Sequence, residues 1–236
     1  MSNIFTENSD SLILRDEDVS VHAIQKLPMS ISLKKADSVD TRVISSKYFN
    51  SFNFFNLPSA FQQSKVAFGI ISANKGEGKT LVASNMAVAL ARAYKQKTVI
   101  VDLNFKSPQL HNIFGVHKGP GIVDAILDDK LTVAQTEFEH LYLLPIGGDE
   151  RYTPNIDDGS VLHNIISTLK TEFDFIIVDM FPIFPTKNSP IIFANVLDGL
   201  IGVIDTQKTK KEEINRIYRH VNEDQMAGYI FNKVKD

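Results

Sequence analysis

From residue 65 onward, mainly apolar runs alternate with stretches of helical periodicity. The runs occupy residues 66–71, 98–103, 141–145, 175–178, 200–204 and 228–231. They lack the alternation of apolar and polar residues found in half-exposed strands, so they predict strands covered on both faces. Helical patterns at 81–94, 122–127, 160–171, 189–196 and 210–221 lie between them. This order predicts an α/β fold, a doubly wound and mostly parallel sheet flanked by helices.

The first part of the chain is less regular. Residues 1–40 are polar and mixed in charge, which predicts an irregular N-terminal arm, although the patch at 27–33 could be an edge strand because Pro28 would not suit a central one. Residues 40–57 predict one helix, and its cluster of Phe52, Phe54 and Phe55 could pack on the core or dock a partner. We therefore expect an arm over 1–40 and one α/β domain over 41–236, although the length would also allow two small domains.

Composition and charge narrow the class of protein. The net charge is −3 and the pI is about 6.1, so no overall positive field favours nucleic acid or anionic lipid. The chain has no cysteine, which excludes disulfides, thiol catalysis and cysteine-ligated zinc. No apolar run approaches the roughly 20 residues that span a bilayer, and the N-terminus lacks a signal-peptide pattern. We expect a soluble, cytoplasmic protein.

A glycine-rich motif follows the first buried strand. Gly76-Glu77-Gly78-Lys79-Thr80 lies between the apolar run at 66–71 and the helical pattern at 81–94. Strand, glycines, lysine, threonine and helix form the layout of a P-loop, in which backbone N–H groups cradle phosphates and the hydroxyl ligates Mg²⁺. The first position of the eight-residue pattern is Ala73 rather than glycine. The plainer alternative is a glycine-rich turn carrying a surface lysine.

Two aspartates end predicted strands of the same sheet. Asp102 follows residues 98–101, and Asp179 follows the run at 175–178. Ligands of such sheets bind at the carboxyl ends of the strands, where a carboxylate beside a P-loop can hold Mg²⁺. Each aspartate could instead cap the turn that follows it. Two of them in one sheet favour a magnesium site.

The order and spacing of the motifs together resemble a known family. The P-loop, the segments 99–115 and 173–179, and shorter matches at 121–124, 141–148, 197–199 and 228–232 look like the cytoplasmic domain of bacterial tyrosine kinases that regulate capsule and exopolysaccharide assembly. That family belongs to the MinD-like and ParA-like deviant P-loop ATPases. The resemblance covers about residues 65–234. The spacing from Asp102 to His111, and Asn74 in place of the MinD signature lysine, favour the kinase branch.

The resemblance implies a role for each matching residue. Lys79 would contact the β- and γ-phosphates of ATP and act with Asp102 in catalysis, and Asn232 would hydrogen-bond the adenine, although it could also be a turn residue. Mg²⁺ would be held by Thr80, Asp102 and Asp179. The implied nucleotide-binding set is Lys75, Gly76, Glu77, Gly78, Lys79, Thr80, Leu81 and Asn232.

Departures from the family pattern point to weak or absent kinase activity. Active members carry a second acid where this chain has Asn104, and an amide cannot accept a proton as a carboxylate can. The basic pair that follows is reduced to Lys106 beside Ser107, and Met180-Phe181-Pro182 replaces the usual Thr-Pro-Pro. A tyrosine-rich tail is missing after Lys235, so we expect no autophosphorylation on a tail.

Two classes of function therefore fit the sequence. The first is an ATP-binding, tyrosine-kinase-like regulator that docks on the cytoplasmic end of a membrane polysaccharide chain-length or export protein, as a possible homo-oligomer at the inner face of the membrane. The second is a MinD/ParA-like ATPase that positions a membrane or cargo partner. A fold that binds no nucleotide is the third possibility, and the intact Lys79 and Thr80 argue against it.

Overall fold

The computed structural model describes residues 27–32, 38–49, 65–148, 152, 155, 158–184 and 191–235. The strands are β1 (Met29–Ser32), β2 (Val66–Ile71), β3 (Thr98–Leu103), β4 (Leu131–Gln135), β5 (Leu141–Leu144), β6 (Phe175–Met180), β7 (Gly199–Asp205) and β8 (Met226–Asn232). The helices are α1 (Ser46–Phe49), α2 (Lys79–Arg92), α3 (Leu110–Ile113), α4 (Ile122–Asp128), α5 (Asp158–Glu172), α6 (Ile191–Ala194) and α7 (Lys211–Tyr218).

All eight strands form one sheet, in the order β1-β4-β5-β3-β6-β2-β7-β8. Every neighbouring pair is parallel except β4 with β5. The predicted fold, a mostly parallel doubly wound sheet, is therefore confirmed. The six apolar runs found in the sequence correspond to β2, β3, β5, β6, β7 and β8, with ends shifted by at most two residues.

The central strands are buried on both faces because helices cover both sides of the sheet. Every residue of β2, β3, β6 and β7 is buried. One apolar cluster joins the sheet to α2 and α3, and a second joins the opposite face to α4, α5, α6 and α7. Neighbouring residues of β6 show the division, since Ile177 belongs to the first cluster and Val178 to the second.

Helix α2 is the element that carries the P-loop into the core. Alanines at four positions, Ala83, Ala87, Ala89 and Ala91, keep its surface flat, so the helix can lie close against the sheet. Eleven of its residues are buried, including the first, Lys79. A helix buried around most of its circumference holds its N-terminus in one place, which fixes the loop in front of it.

Strands β1 and β4 lie at one side of the sheet. Within the patch at 27–33, Met29–Ser32 form the edge strand β1, as the position of Pro28 indicated. The apolar runs of the sequence do not include strand β4, because its burial alternates along Leu131–Gln135. It is antiparallel to β5 and parallel to β1, so it connects the N-terminal strand to the sheet.

The segment before β2 differs from the single helix predicted over residues 40–57. Residues 41–44 form a turn, and α1 is one short helix at Ser46–Phe49. The cluster of Phe52, Phe54 and Phe55 lies outside the described residues, as does most of the predicted arm. Within the described part of the chain, no helix combines the length and the apolar character that crossing a membrane requires.

Candidate functional site

The loop between β2 and α2 has the backbone geometry that its glycines allow. Gly76 and Gly78 have φ angles of 85° and 103°, in the left-handed region that residues with a Cβ avoid. Gly78 directly precedes the first residue of α2. The start of the loop is also fixed, because Ile183 N–H donates to Ser72 O and Phe184 N–H donates to Ala73 O.

Lys79 lies inside the loop rather than on the protein surface. Its residue is 5% exposed, and its ammonium donates to the Ser72 hydroxyl at 2.9 Å. Burial lowers the pKa of Lys79, and the nearby charges of Asp179 and Glu77 oppose that change. A lysine held inward by its own loop is not the surface lysine of the plainer alternative.

The two strand-end aspartates meet beside the loop. Asp102 of β3 and Asp179 of β6 are directly paired in the sheet, and β6 lies between β3 and β2. The Thr80 hydroxyl donates to Asp179 Oδ2 at 2.6 Å. The other carboxylate oxygen of Asp179, Oδ1, is buried and has no hydrogen-bond partner among the described residues.

Both carboxyls are completely buried, which changes their protonation. Burial and the charge of Asp179 raise the pKa of Asp102 to about 8. Burial also raises the pKa of Asp179, to about 6, although the Thr80 hydrogen bond and the charge of Lys79 act against that rise. A cation placed between two such carboxyls would relieve the cost of ionising them.

Asp102 also caps the turn that follows it, as the alternative interpretation proposed. Its Oδ1 accepts from the Asn104 N–H at 3.0 Å, and its Oδ2 accepts from the Leu110 N–H at 3.2 Å. Asp179 differs, because its Oδ2 accepts from the threonine of the P-loop. The capping interpretation therefore fits Asp102 better than Asp179, and the metal-site interpretation fits Asp179 better than Asp102.

A cavity of about 370 Å³ opens in front of the loop. Lys75 reaches across it from the loop, and its ammonium donates to the Ser107 hydroxyl at 3.3 Å. The side of the cavity facing the loop includes Asn104, the residue that replaces the second acid of the family pattern. The cavity is lined by Lys75, Gly76, Gly78, Lys79, Thr80, Leu81, Asn104, Lys106, Ser107, Gln109 and Pro182.

Two residues predicted to bind nucleotide, Glu77 and Asn232, also form hydrogen bonds that hold the loop. The Glu77 side chain is 3% exposed and accepts from the Asn74 N–H at 2.9 Å and from the Thr209 hydroxyl. The Asn232 amide donates to Glu77 O at 2.9 Å, and its oxygen accepts from Lys233 N–H. In this structure both side chains support the loop from behind, and neither lines the cavity.

Sequence reasoning missed several residues that hold the loop. Ser72 receives the Lys79 hydrogen bond, and Lys233 donates to both Gly76 O and Asp205 Oδ2, at 3.0 and 2.7 Å. Thr209 reaches Glu77 from the turn before α7. Ser72 could have been found, since it directly precedes the motif; the others offer no local signal because they follow different strands.

Comparison with known proteins was made by sequence and by structure. No protein-family model matches the chain. By sequence, 150 residues covering 62% of the chain are 27% identical to a putative tyrosine-protein kinase, CapB of Staphylococcus aureus, and cover 65% of it. A longer alignment of 214 residues, 86% of the chain, is 25% identical to the tyrosine-protein kinase CpsD of Streptococcus agalactiae and covers 90% of that protein.

The chain is similar to bacterial tyrosine-protein kinases. This finding confirms the resemblance seen in the motifs. A third relative, the succinoglycan biosynthesis transport protein ExoP of Rhizobium meliloti, is 25% identical over 172 residues, which are 70% of the chain and 22% of ExoP.

Solved structures confirm the fold. The chimerical protein CapA2B2 superposes with a TM-score of 0.69 at 22% identity, over 89% of the chain and 96% of that structure. The cell division ATPase MinD of Pyrococcus furiosus superposes with a TM-score of 0.59 at 21% identity, over 71% of the chain and 70% of that structure. At these identities the likeness concerns the fold, which is the one shared by P-loop ATPases of the MinD type.

Proposed function

We propose that the protein is an ATP-binding, tyrosine-kinase-like regulator of polysaccharide biosynthesis or export, with weak or no kinase activity. The observation that supports this most directly is the meeting of Lys79, Thr80 and Asp179 at the carboxyl edge of the sheet, beside a cavity of about 370 Å³. Similarity to tyrosine-protein kinases and to a transport protein for succinoglycan biosynthesis supports the cellular context.

The residues around the loop fit a nucleotide and Mg²⁺. The left-handed glycines allow backbone N–H groups to face phosphates, and Lys79 supplies a cation. Oδ1 of Asp179, to which no described residue donates a hydrogen bond, the Thr80 hydroxyl and Asp102 form the oxygen donor set that Mg²⁺ prefers. When bound, the metal would neutralise charge on the transferred phosphoryl group. The protein's own part is to position the phosphates and to exclude water around them.

Asn104 supports the proposal of weak phosphoryl transfer. It lines the cavity in front of the P-loop, and its backbone N–H donates to Asp102. An amide cannot accept a proton as a carboxylate can, and the remaining carboxyl, Asp102, is completely buried and has a raised pKa. ATP would then serve mainly as a ligand that shifts the protein between two docking states.

We place the protein at the inner face of the membrane, docked on the cytoplasmic end of a polysaccharide chain-length or export protein. The matching segment is 22% of ExoP, which supports a kinase-like unit acting as one part of a larger transport assembly. Retention of a membrane chain-length protein from the same gene cluster should differ between ATP-loaded and nucleotide-depleted protein. Equal retention in both states would contradict a nucleotide-dependent docking switch.

Thermal unfolding with ATP and Mg²⁺ tests nucleotide binding. At about a hundredfold excess over the dissociation constant, binding contributes about 2.7 kcal/mol, which corresponds to a rise in melting temperature of roughly 5–10 °C for a chain of this size. Lys79→Ala should abolish the rise, and Lys130→Ala, which removes an exposed lysine elsewhere, should keep it. An unchanged melting temperature of the wild type at millimolar ATP would exclude the proposal.

A MinD-like ATPase is the second candidate, because the fold is shared with MinD. By the sequence resemblance, Asn74 stands where MinD-like proteins carry the signature lysine, and its amide donates to Glu77 at 3.3 Å. No cation stands there to reach a second nucleotide. ATP-dependent dimerisation of the isolated protein, measured by light scattering, would favour this candidate over the regulator.

A further inference from the structure

Strand β8 forms one edge of the sheet. It is last in the strand order, and among the described segments it pairs with β7 alone. The pairing contains one irregularity near the start of β8, whereas residues 228–232 pair with β7 one by one. A regular strand at the edge of a sheet is a template on which another strand can pair.

The outer edge of β8 presents backbone hydrogen-bonding groups. The N–H of Thr206, the residue after β7, donates to Asn232 O at 3.1 Å, so the backbone of Asn232 faces β7. Successive residues of a strand direct their N–H and C=O groups to alternate sides, so those of Tyr229 and Phe231 face away from β7. No strand of the described part of the chain lies on that side to receive them.

Exposed apolar side chains concentrate at this edge. Six large apolar side chains of the described residues are exposed, and three of them, Tyr218, Phe231 and Val234, lie on β8 or beside it. Phe231 is 62% exposed and Val234 is 63% exposed. The Tyr218 ring of α7 lies 5.9 Å from the Tyr229 ring, centre to centre, which places it next to β8. Apolar surface gathered along an open strand is typical of a protein–protein interface.

The charges that flank β8 differ in sign at its two ends. Glu223 and Asp224 precede the strand and are exposed. Residues 233–236, which follow it, include two lysines and one aspartate, and Lys235 is exposed. The seven residues of β8 span roughly 23 Å, at about 3.3 Å per residue, so the two ends of one strand are too distant to pair with each other.

We propose that the outer edge of β8 pairs with β8 of a second copy of this chain, antiparallel and about a two-fold axis, so that two sheets join into one. This arrangement sets the outward groups of Tyr229 and Phe231 against the same groups of the second copy and covers the exposed Phe231 ring. It also brings the acidic end of each β8 against the end of the other that carries Lys235.

A strand from a different protein is the competing occupant of this edge. The opposite charges at the two ends of β8 favour self-pairing, because each copy then supplies both partners of the charge pairs. The inference goes beyond the proposed function and does not depend on ATP, since no residue of the interface lines the cavity in front of the P-loop.

Sedimentation velocity of the full chain in EDTA, without nucleotide, tests the dimer. We expect a concentration-dependent species of twice the 26.4 kDa of one chain. A chain that stays monomeric at its highest soluble concentration would overturn the proposal and leave the edge to a different protein. A dimer that forms only after ATP is added would also overturn it, because that is the behaviour of the MinD-like candidate.

Charge reversal tests the antiparallel arrangement. Glu223→Lys and Lys235→Glu should each weaken the dimer by roughly three- to tenfold at low salt, because each change replaces two attractions by two repulsions. The double variant Glu223→Lys/Lys235→Glu should regain the affinity of the wild type. Lys130→Glu, which reverses an exposed charge elsewhere, should leave it unchanged. A double variant that dimerises no better than the single variants would refute the arrangement.

A polar substitution at the edge tests the apolar contact. Phe231→Lys should weaken the dimer by roughly tenfold or more, because an aromatic side chain at the centre of the interface is lost. Leu127→Lys is the matched control, since Leu127 is 63% exposed and lies on α4, and it should dimerise like the wild type. Equal affinity of the two variants would contradict the assignment of β8. The exposed charge variants decide the question if Phe231→Lys does not fold.

Discussion

At the scale of single residues, the proposal of weak kinase activity rests on Asn104. It follows β3 directly, and its N–H donates to Asp102 Oδ1 at 3.0 Å. It also lines the cavity in front of the P-loop. The carbonyl of Asn104 accepts from the Ser107 N–H, so the backbone around it forms a closed turn. The backbone at this position therefore holds a side chain that lines the cavity.

Asn104→Asp should raise ATP turnover. A general base contributes roughly 10²- to 10⁴-fold to proton transfer, so we expect an increase of at least about tenfold in phosphate release. Asn222→Asp, which adds the same charge at an exposed position, should leave turnover unchanged. Equal phosphate release from the wild type and from Asn104→Asp would contradict the proposal that Asn104 limits turnover.

At the scale of elements, the P-loop is held from behind by the carboxyl end of β8 and by the turn before α7. Asn232 donates to Glu77 O, Lys233 donates to Gly76 O, and Thr209 donates to the Glu77 side chain. Space behind the loop is tight, because a Cβ on Gly78 would lie 2.1 Å from Asn232 Nδ2. The position of β8 therefore decides the shape of a loop that is distant from it in sequence.

Gly78→Ala should destabilise the protein for two reasons. Its φ of 103° is strained for alanine, and the new Cβ would collide with Asn232. Gly76→Ala is the matched control, because its φ of 85° is also strained but no atom lies within 4 Å of its Cβ. In urea unfolding we expect a loss of about 1 kcal/mol for Gly76→Ala and roughly 2–3 kcal/mol for Gly78→Ala.

The double variant Gly78→Ala/Asn232→Ala separates the two causes. Removal of the Asn232 amide relieves the collision and leaves the backbone strain. We expect the double variant to recover part of the stability lost by Gly78→Ala, relative to Asn232→Ala alone. Strictly additive losses would mean that the loop moves away from Asn232 at no cost.

At the scale of the whole molecule, folding buries two carboxyls in the sheet between the two apolar clusters. Burial raises the pKa of Asp102 to about 8, above the 3.8 of a solvated carboxyl. As pH rises above 3.8, the unfolded chain loses the proton of Asp102 while the folded protein keeps it. This residue therefore makes stability fall as pH rises, until pH exceeds the pKa of the folded state.

Asp102→Asn should remove this fall in stability. Between about pH 5 and pH 8 in EDTA, the stability difference between wild type and variant should change by up to about 1.4 kcal/mol per pH unit, in favour of the variant at high pH. The lowered pKa of His111 acts on stability in the opposite direction in the same pH range. Because both proteins contain His111, its effect cancels when their profiles are compared. Parallel pH profiles for the two proteins would contradict a raised pKa at Asp102.

Much of the fold and the front of the site follow from the sequence because their causes are local. Continuous apolar runs predict strands covered on both faces, and parallel strands bring their carboxyl ends to one edge. The pairing of Asp102 with Asp179 and the inward Lys79 agree with that reasoning. The glycines at 76 and 78 predict the loop, since only they accept its backbone angles.

Only the tertiary structure decided the back of the site and the edge of the sheet. The Thr209 hydroxyl donates to the Glu77 side chain, 132 residues away in sequence, and the Asn232 amide donates to Glu77 O, 155 residues away. No local pattern could therefore show that these side chains hold the loop. Strand β4 is half-buried, and it pairs in parallel with β1 and antiparallel with β5. Its neighbours rather than its own residues determine this pairing. Local sequence determined which segments are buried and where phosphates could lie, whereas contacts between distant segments determined how the loop is supported and which cavity stands beside it.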